Sequence, residues 1–218
     1  ENYKNYNLHQ IISRVLNFCV NDLGGMYLDV IKDRLYTMKA DSTGRRSAQY
    51  SIDEILKILV KSISPILPFT AYEFEESLKP GKGDEVFYTE FIENDDLATK
   101  EDIERFDFLL SLRARVYQAI ELERQNGNIK NALDCDLDIT LPKQEFDLIS
   151  LLSEELSKFF ISSGCVVKEG DAEAINVKKS QHEKCSRCWH RSEKLNDESV
   201  CQRCEVNMNG DGEIRSFF

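Results

Sequence analysis

Apolar residues recur at steps of three or four through the first part of the chain, at Leu8, Ile12, Val15, Cys19, Leu23, Met26, Val30 and Ile31. That period predicts one long amphipathic helix, entered through Asn7 and Gln10 at capping-box spacing. Gly24-Gly25 interrupts it. A glycine costs roughly 1 kcal/mol in a helix interior, so a kink or a close helix contact is expected at the pair. After Tyr36 the stretch Lys39 to Ser47 is polar and turn-rich. Ser51 and Glu54 then form a second capping-box pair ahead of Ile52, Ile55, Leu56, Leu59, Val60 and Ile63, which predicts another helix. Pro65 and Pro68 end or bend it, because proline lacks a backbone donor and restricts the residue before it. A new helical turn is expected near Thr70.

Residues 80–98 are acidic and weakly patterned, which reads as a surface connection. Helical spacing returns from Thr99 to Gln125 through Ile103, Phe106, Leu110, Arg113, Val116 and Ile120, with Gly127 placed as a C-cap. Asp136 to Leu141 alternate polar and apolar residues, a strand pattern ended by Pro142. Phe146 to Phe160 read as helix, and Cys165-Val166-Val167 and Ile175-Asn176-Val177 as short strands. The expected fold is mainly α. It has a helical bundle over 1–127, a small α+β junction element over 128–180 and a cysteine-rich module over 181–218.

Two C-x-x-C knuckles carry the clearest chemistry, Cys185-Ser186-Arg187-Cys188-Trp189 and Cys201-Gln202-Arg203-Cys204. A tight turn lets both thiolates of one knuckle reach the same cation, and two knuckles complete a tetrahedron of sulfur around zinc. Cys185, Cys188, Cys201 and Cys204 are therefore the expected ligands of one structural zinc ion. Four sulfurs leave no open position for water or substrate, so a catalytic role is not expected. The alternatives are a pair of disulfides or free thiols placed by chance. The total of seven cysteines is odd and no secretory signal is present, which fits a reducing, cytoplasmic setting better. His182 and His190 flank the knuckles, but four sulfurs already suffice.

The net charge of −11 in 218 residues argues against a polyanionic partner for the surface as a whole. Locally the balance reverses. Residues 184–204 carry Lys184, Arg187, Arg191, Lys194 and Arg203 against Glu193, Asp197 and Glu198. No apolar run approaches the ~20 residues that a bilayer requires, so no membrane partner is expected. Phosphate-binding glycine loops, H-E-x-x-H and G-x-S-x-G are absent, and nothing reads as an active site. The chain opens at Glu1 within a polar lead-in to a helix, and it is expected to be part of something longer.

Several segments together resemble the isoleucyl-tRNA synthetase family. Tyr27-Leu28-Asp29-Val30-Ile31-Lys32-Asp33-Arg34-Leu35-Tyr36-Thr37 is similar to its anticodon-binding signature, and Lys39-Ala40-Asp41-Ser42 with Arg45-Arg46-Ser47 follows as in bacterial members. Ser64-Pro65-Ile66-Leu67-Pro68-Phe69-Thr70-Ala71 resembles a motif that valine and leucine enzymes share. The knuckles with Gly210-Asp211-Gly212-Glu213 resemble the bacterial C-terminal zinc module and tail. Ile129-Lys130-Asn131-Ala132-Leu133-Asp134 departs from the family's I-G-x-S-L-E-like loop, lacking its glycine and serine. The resemblance covers essentially the whole chain.

It implies a helical bundle that docks the anticodon stem-loop of isoleucine tRNA, in a monomeric cytoplasmic ligase. ATP would be used in a catalytic domain whose signatures, like the editing domain, are absent here. The implied RNA contacts are Lys32, Arg34, Arg45, Arg46, Arg187, Trp189, His190 and Arg191. Each has a plainer reading: Lys32 and Arg34 pairing with Asp29 and Asp33, Arg45 and Arg46 in a solvated loop, and Trp189 packed under the metal turn. Two alternatives stand beside this. One is a zinc-knuckle scaffold for a protein partner, which the net charge favours; the other is the same region of a valine or leucine enzyme.

Overall fold

The computed structural model describes residues 1–88, 90 and 98–217. They form two compact units, Glu1–Asp29 with Arg46–Asp95, and Val30–Arg45 with Asp96–Phe218. Among the described residues no helix is long and apolar enough to cross a membrane.

The first periodic stretch is not one α-helix. It runs as α1 (Leu8–Asn17), a π-helical segment Phe18–Tyr27 and α2 (Leu28–Thr37). The wider turn is visible in the Leu28 N–H, which donates to the carbonyl of Leu23 five residues back. A β-carbon on Gly24 would lie 2.9 Å from the Cys19 carbonyl oxygen, so the glycine pair admits the π turn where an ordinary side chain would clash. Asn7 makes no side-chain cap bond.

Helix α3 spans Thr43–Ile63, so it starts well before Ser51 and takes in Arg45 and Arg46. Ser42 lies just ahead of it, and its Oγ accepts from the Arg45 N–H at 3.4 Å, in the manner of an N-cap. Ser51 is interior. Its hydroxyl donates back to the Ser47 carbonyl at 3.0 Å instead of capping. Helix α4 (Pro68–Leu78) opens on its proline, where the missing donor costs nothing. Val60 of α3, Ala71 of α4 and Val86 of the 3-10 turn Gly83–Phe87 form a small core with Leu56 and Phe74. Of the expected acidic connection, residues 89 and 91–97 lie outside the described residues.

In the second unit, α5 (Lys100–Gln125) begins with a reciprocal capping box. The Asp102 N–H donates to Thr99 Oγ1 at 3.1 Å, and the Thr99 N–H to Asp102 Oδ2 at 3.1 Å. It ends before Gly127, whose φ of +77° is the left-handed conformation that a helix C-terminus favours. The three-stranded sheet has the order β2-β1-β3, with β1 (Cys135–Leu141) central, parallel to β2 (Gly164–Glu169) and antiparallel to β3 (Ala174–Lys179). Burial alternates along β1, so Cys135, Leu137, Ile139 and Leu141 are buried. The parallel crossover between β1 and β2 carries α6 (Lys143–Ile149), a 3-10 turn at Ser150–Leu152 and α7 (Leu156–Phe159). The single helix expected over 146–160 is thus broken: a short crossover has to turn twice to return the chain to the sheet. Ile149, Leu156, Phe159 and Phe160 are buried, as are Leu109, Leu112 and Val116 of α5. Buried Arg113 donates to the Phe159 carbonyl.

Candidate metal centre and nucleic-acid interface

The first knuckle is a hairpin turn between β4 (Glu183–Lys184) and β5 (Arg191–Ser192). Its ladder is extended by Cys185 N–H to the His190 carbonyl at 2.9 Å, and Trp189 N–H closes the loop on the Cys185 carbonyl at 3.1 Å. The second knuckle is shaped by Asn196, whose Oδ1 accepts from the N–H groups of Glu198 at 3.0 Å and Val200 at 2.9 Å. Cys201 then stands at the N-cap of α8 (Gln202–Asn209), which carries Cys204. Ser186 N–H joins the two loops by donating to the Ser199 carbonyl at 2.9 Å.

These turns bring Cys185, Cys188, Cys201 and Cys204, all buried, into one cluster with ligand atoms within 4.8 Å of one another. Cys188 and Cys201 sulfurs are 3.7 Å apart, far beyond the ~2.05 Å of a disulfide. Sulfurs at roughly 2.3 Å from a tetrahedral metal stand ~3.8 Å apart, so the donor set fits a four-thiolate ion. Cys201 N–H also donates to Cys185 Sγ at 3.3 Å, an orienting contact beyond the sulfurs. The site is closed and can hold an ion without offering it to substrate.

Cys135 is a different kind of thiol. Burial, with help from Asp136 and Asp134, pushes it up to about 12, and burial does the same to Cys165. Both are inert residues of the sheet.

The residues expected to contact RNA divide sharply. Lys32 and Arg46 are exposed and Arg45 is half-buried, while Arg34 of α2 is buried. Arg46 Nη1 donates to Gln49 at 2.8 Å, and Arg45 Nη1 to the Met38 carbonyl at 3.3 Å. Arg187 donates to the Thr37 carbonyl at 2.7 Å and the Tyr36 carbonyl at 3.3 Å. Arg191 pairs with Asp134 at 2.7 Å and donates to the His182 carbonyl at 3.0 Å. His190 is buried, with Nδ1 3.2 Å from the Cys188 carbonyl oxygen, and it stands outside the sulfur cluster. Trp189 does not pack under the metal turn: its φ of +67° accompanies an indole 60% exposed, with Lys184 Nζ 5.2 Å from the ring centroid.

Sequence reasoning named Asp33 only as a partner of Lys32 and Arg34 and missed its role at the knuckle. Its carboxylate accepts both nitrogens of Arg203 at 2.6 and 2.9 Å, and Arg215 joins it from the tail. Burial alone would raise its pKa, but the hydrogen bond and charge of Arg203, with Arg215 and Lys158, hold it well below the usual carboxylate range. The signal available was the arginine repeated at the third position of each C-x-x-C.

Comparison with known proteins supplies the context for this geometry. Residues 1–140 match the family described as the anticodon-binding domain of tRNA ligase. The chain belongs to that family. The match takes in α1 to α5 and most of β1, and with them Lys32, Arg34, Arg45 and Arg46, but not the knuckles. Similar curated proteins include the isoleucine–tRNA ligase of Dichelobacter nodosus, 39% identical over 99% of this chain and 24% of that protein. Those of Ruthia magnifica, at 36%, and Pasteurella multocida, at 37%, also align with 99% of the chain. The chain spans about a quarter of the length of these relatives.

Proposed function

We propose that this chain is the anticodon-recognising, zinc-bearing C-terminal part of an isoleucine–tRNA ligase, a monomeric cytoplasmic enzyme that joins isoleucine to its cognate tRNA at the expense of ATP. The supporting observation is the 36–39% identity to isoleucine–tRNA ligases across 99% of the chain, helical region and knuckles together. The chain carries no ATP-binding signature, so in this reading adenylation and editing belong to other parts of the protein, and the chain alone is inactive. Residues 1–127 form the anticodon-binding part, 128–180 a junction and 181–218 the zinc module. Closed four-sulfur coordination favours zinc, which is redox-inert and accepts tetrahedral thiolate geometry without strain.

Unpaired anticodon bases are recognised by stacking and edge hydrogen bonds, with Lys and Arg on the phosphates. Exposed Trp189 offers the stacking surface, and Lys32, Arg45 and Arg46 the cations. Burial of Arg34 and His190, and the internal partners of Arg187 and Arg191, support assigning those four to the frame of the site.

Arg45→Glu/Arg46→Glu is expected to weaken isoleucine tRNA binding and lower the salt slope by about 1 per lost phosphate contact. Arg46→Glu alone controls for Arg45's bond to Met38. Filter binding across a salt titration, with a noncognate tRNA beside the cognate one, makes the measurement. Unchanged affinity removes both arginines from the interface. Equal affinity for the two tRNAs favours the protein-scaffold reading that the net charge of −11 suggests.

A further inference from the structure

Each metal knuckle has the form C-x-R-C, and both arginines reach the same helix. Arg187, between Cys185 and Cys188, donates to the carbonyls of Tyr36 and Thr37 at the end of α2. These are among the last carbonyls of a helix, which lack intrahelical partners and carry the negative end of its dipole. Arg203, between Cys201 and Cys204, forks onto the Asp33 carboxylate one turn earlier. Thr37 closes the loop, its hydroxyl donating to the Asp33 carbonyl at 2.7 Å and lying 3.0 Å from its carboxylate. The next residue, Met38, holds Arg45 through its carbonyl.

We propose that Arg187 and Arg203 are positioning residues forming a metal-dependent clamp, through which the loaded four-sulfur site fixes the last turn of α2 and the segment carrying Arg45. Each arginine lies next to a ligand, so coordination sets the loop from which its guanidinium projects. Without the ion, the loops lose the geometry that aims both forks at one turn of helix. Binding is reciprocal: if metal orders α2, the docked α2 strengthens metal binding by the same factor. The clamp rests on the metal-site reading but not on tRNA recognition.

The test uses the 218-residue chain with Co²⁺ as the metal probe, following its thiolate charge-transfer absorption and the amide exchange of Thr37, Met38 and Lys39. In the unaltered chain, removing Co²⁺ with a chelator is expected to speed exchange at these amides about tenfold, the scale of losing hydrogen bonds to charged groups. Arg187→Met/Arg203→Met should keep the four-thiolate spectrum, bind Co²⁺ about tenfold more weakly and exchange at the same rate with or without metal. Asp33→Asn/Arg203→Met removes both charges of one arm, leaving Arg215 on Glu213 at 3.0 Å, and should show the same uncoupling in part. Metal-independent exchange at α2 in the unaltered chain overturns the clamp, as does persistent metal dependence in Arg187→Met/Arg203→Met. A spectrum with fewer thiolates in that variant also overturns it, since the arginines would then shape the ligand set itself. Absence of any Co²⁺ thiolate band in the unaltered chain overturns the metal reading and the clamp together, whatever the tRNA affinity.

Discussion

The sheet element and the knuckle module solve the same problem with different material. Around β1, burial falls on Leu137, Ile139, Leu141, Ile149, Leu156, Phe159 and Phe160, large apolar side chains almost wholly removed from water. In the knuckle, the buried cluster is Cys185, Cys188, Val200, Cys201 and Cys204, with Leu195 packed against it. A module of that size cannot bury enough hydrocarbon to offset chain entropy, and a cation held by the four sulfurs would replace the missing core. The lesson is about cooperativity. An apolar core distributes stability over many contacts, whereas a metal site concentrates it in four bonds that one reagent can remove.

Chelation should therefore break the comparison most sharply. Structural zinc contributes on the order of 10–16 kcal/mol in zinc-finger peptides, so metal removal is expected to unfold residues 183–209 while β1–β3 and the helices persist. NMR amide dispersion reads the difference between residues 183–209, α8 included, and the persisting α1–α7, and full dispersion of the knuckle after metal removal would end the idea that sulfur coordination replaces its core.

Phe159→Ala attacks the other side. Emptying this fully buried site is expected to cost about 3–5 kcal/mol in denaturant unfolding of the sheet element, with metal stoichiometry unchanged. A loss below about 1 kcal/mol would show that the apolar core is not what holds the sheet.

The smallest effect concerns Lys158 on α7. Burial first, then the charge of Arg203, pushes its pKa from 10.5 down to about 8. Between those values the unfolded chain binds a proton that the folded chain does not, so stability rises with pH across that window; below about 8 the cost of the buried charge is fully present. Lys158→Met should flatten this rise and add about 1–3 kcal/mol at pH 7, toward the low end because the side chain keeps partial exposure. Denaturant midpoints at pH 7 and 10 measure it, and an unaltered slope would assign the dependence to other groups.

Legibility in the sequence followed the range of the interactions. The capped helix α5, the alternating strand β1 and the turns that carry each cysteine pair were all readable, because each depends on residues within a few positions of one another. The start of α3 was misplaced: Ser42 and Ser51 both satisfy the local capping rule, and only the continuous helix from Thr43 decides between them. The broken crossover at Ser150 was hidden for a related reason, since an apolar period does not show that the chain must turn back to pair β2 with β1.

By itself the sequence determined a mainly helical chain with a four-cysteine knuckle of metal-site spacing, through periodicity and cysteine spacing that are local and repeat. Tertiary structure alone decided what the knuckle's basic and aromatic residues do. Trp189 turns outward on a left-handed backbone, His190 turns inward, and Arg203 meets a carboxylate 170 positions away in the chain. No pattern within the motif carries that information, because a guanidinium is equally suited to a phosphate, a carboxylate or a helix C-terminus. Which one it meets is set by what folding brings within 3 Å.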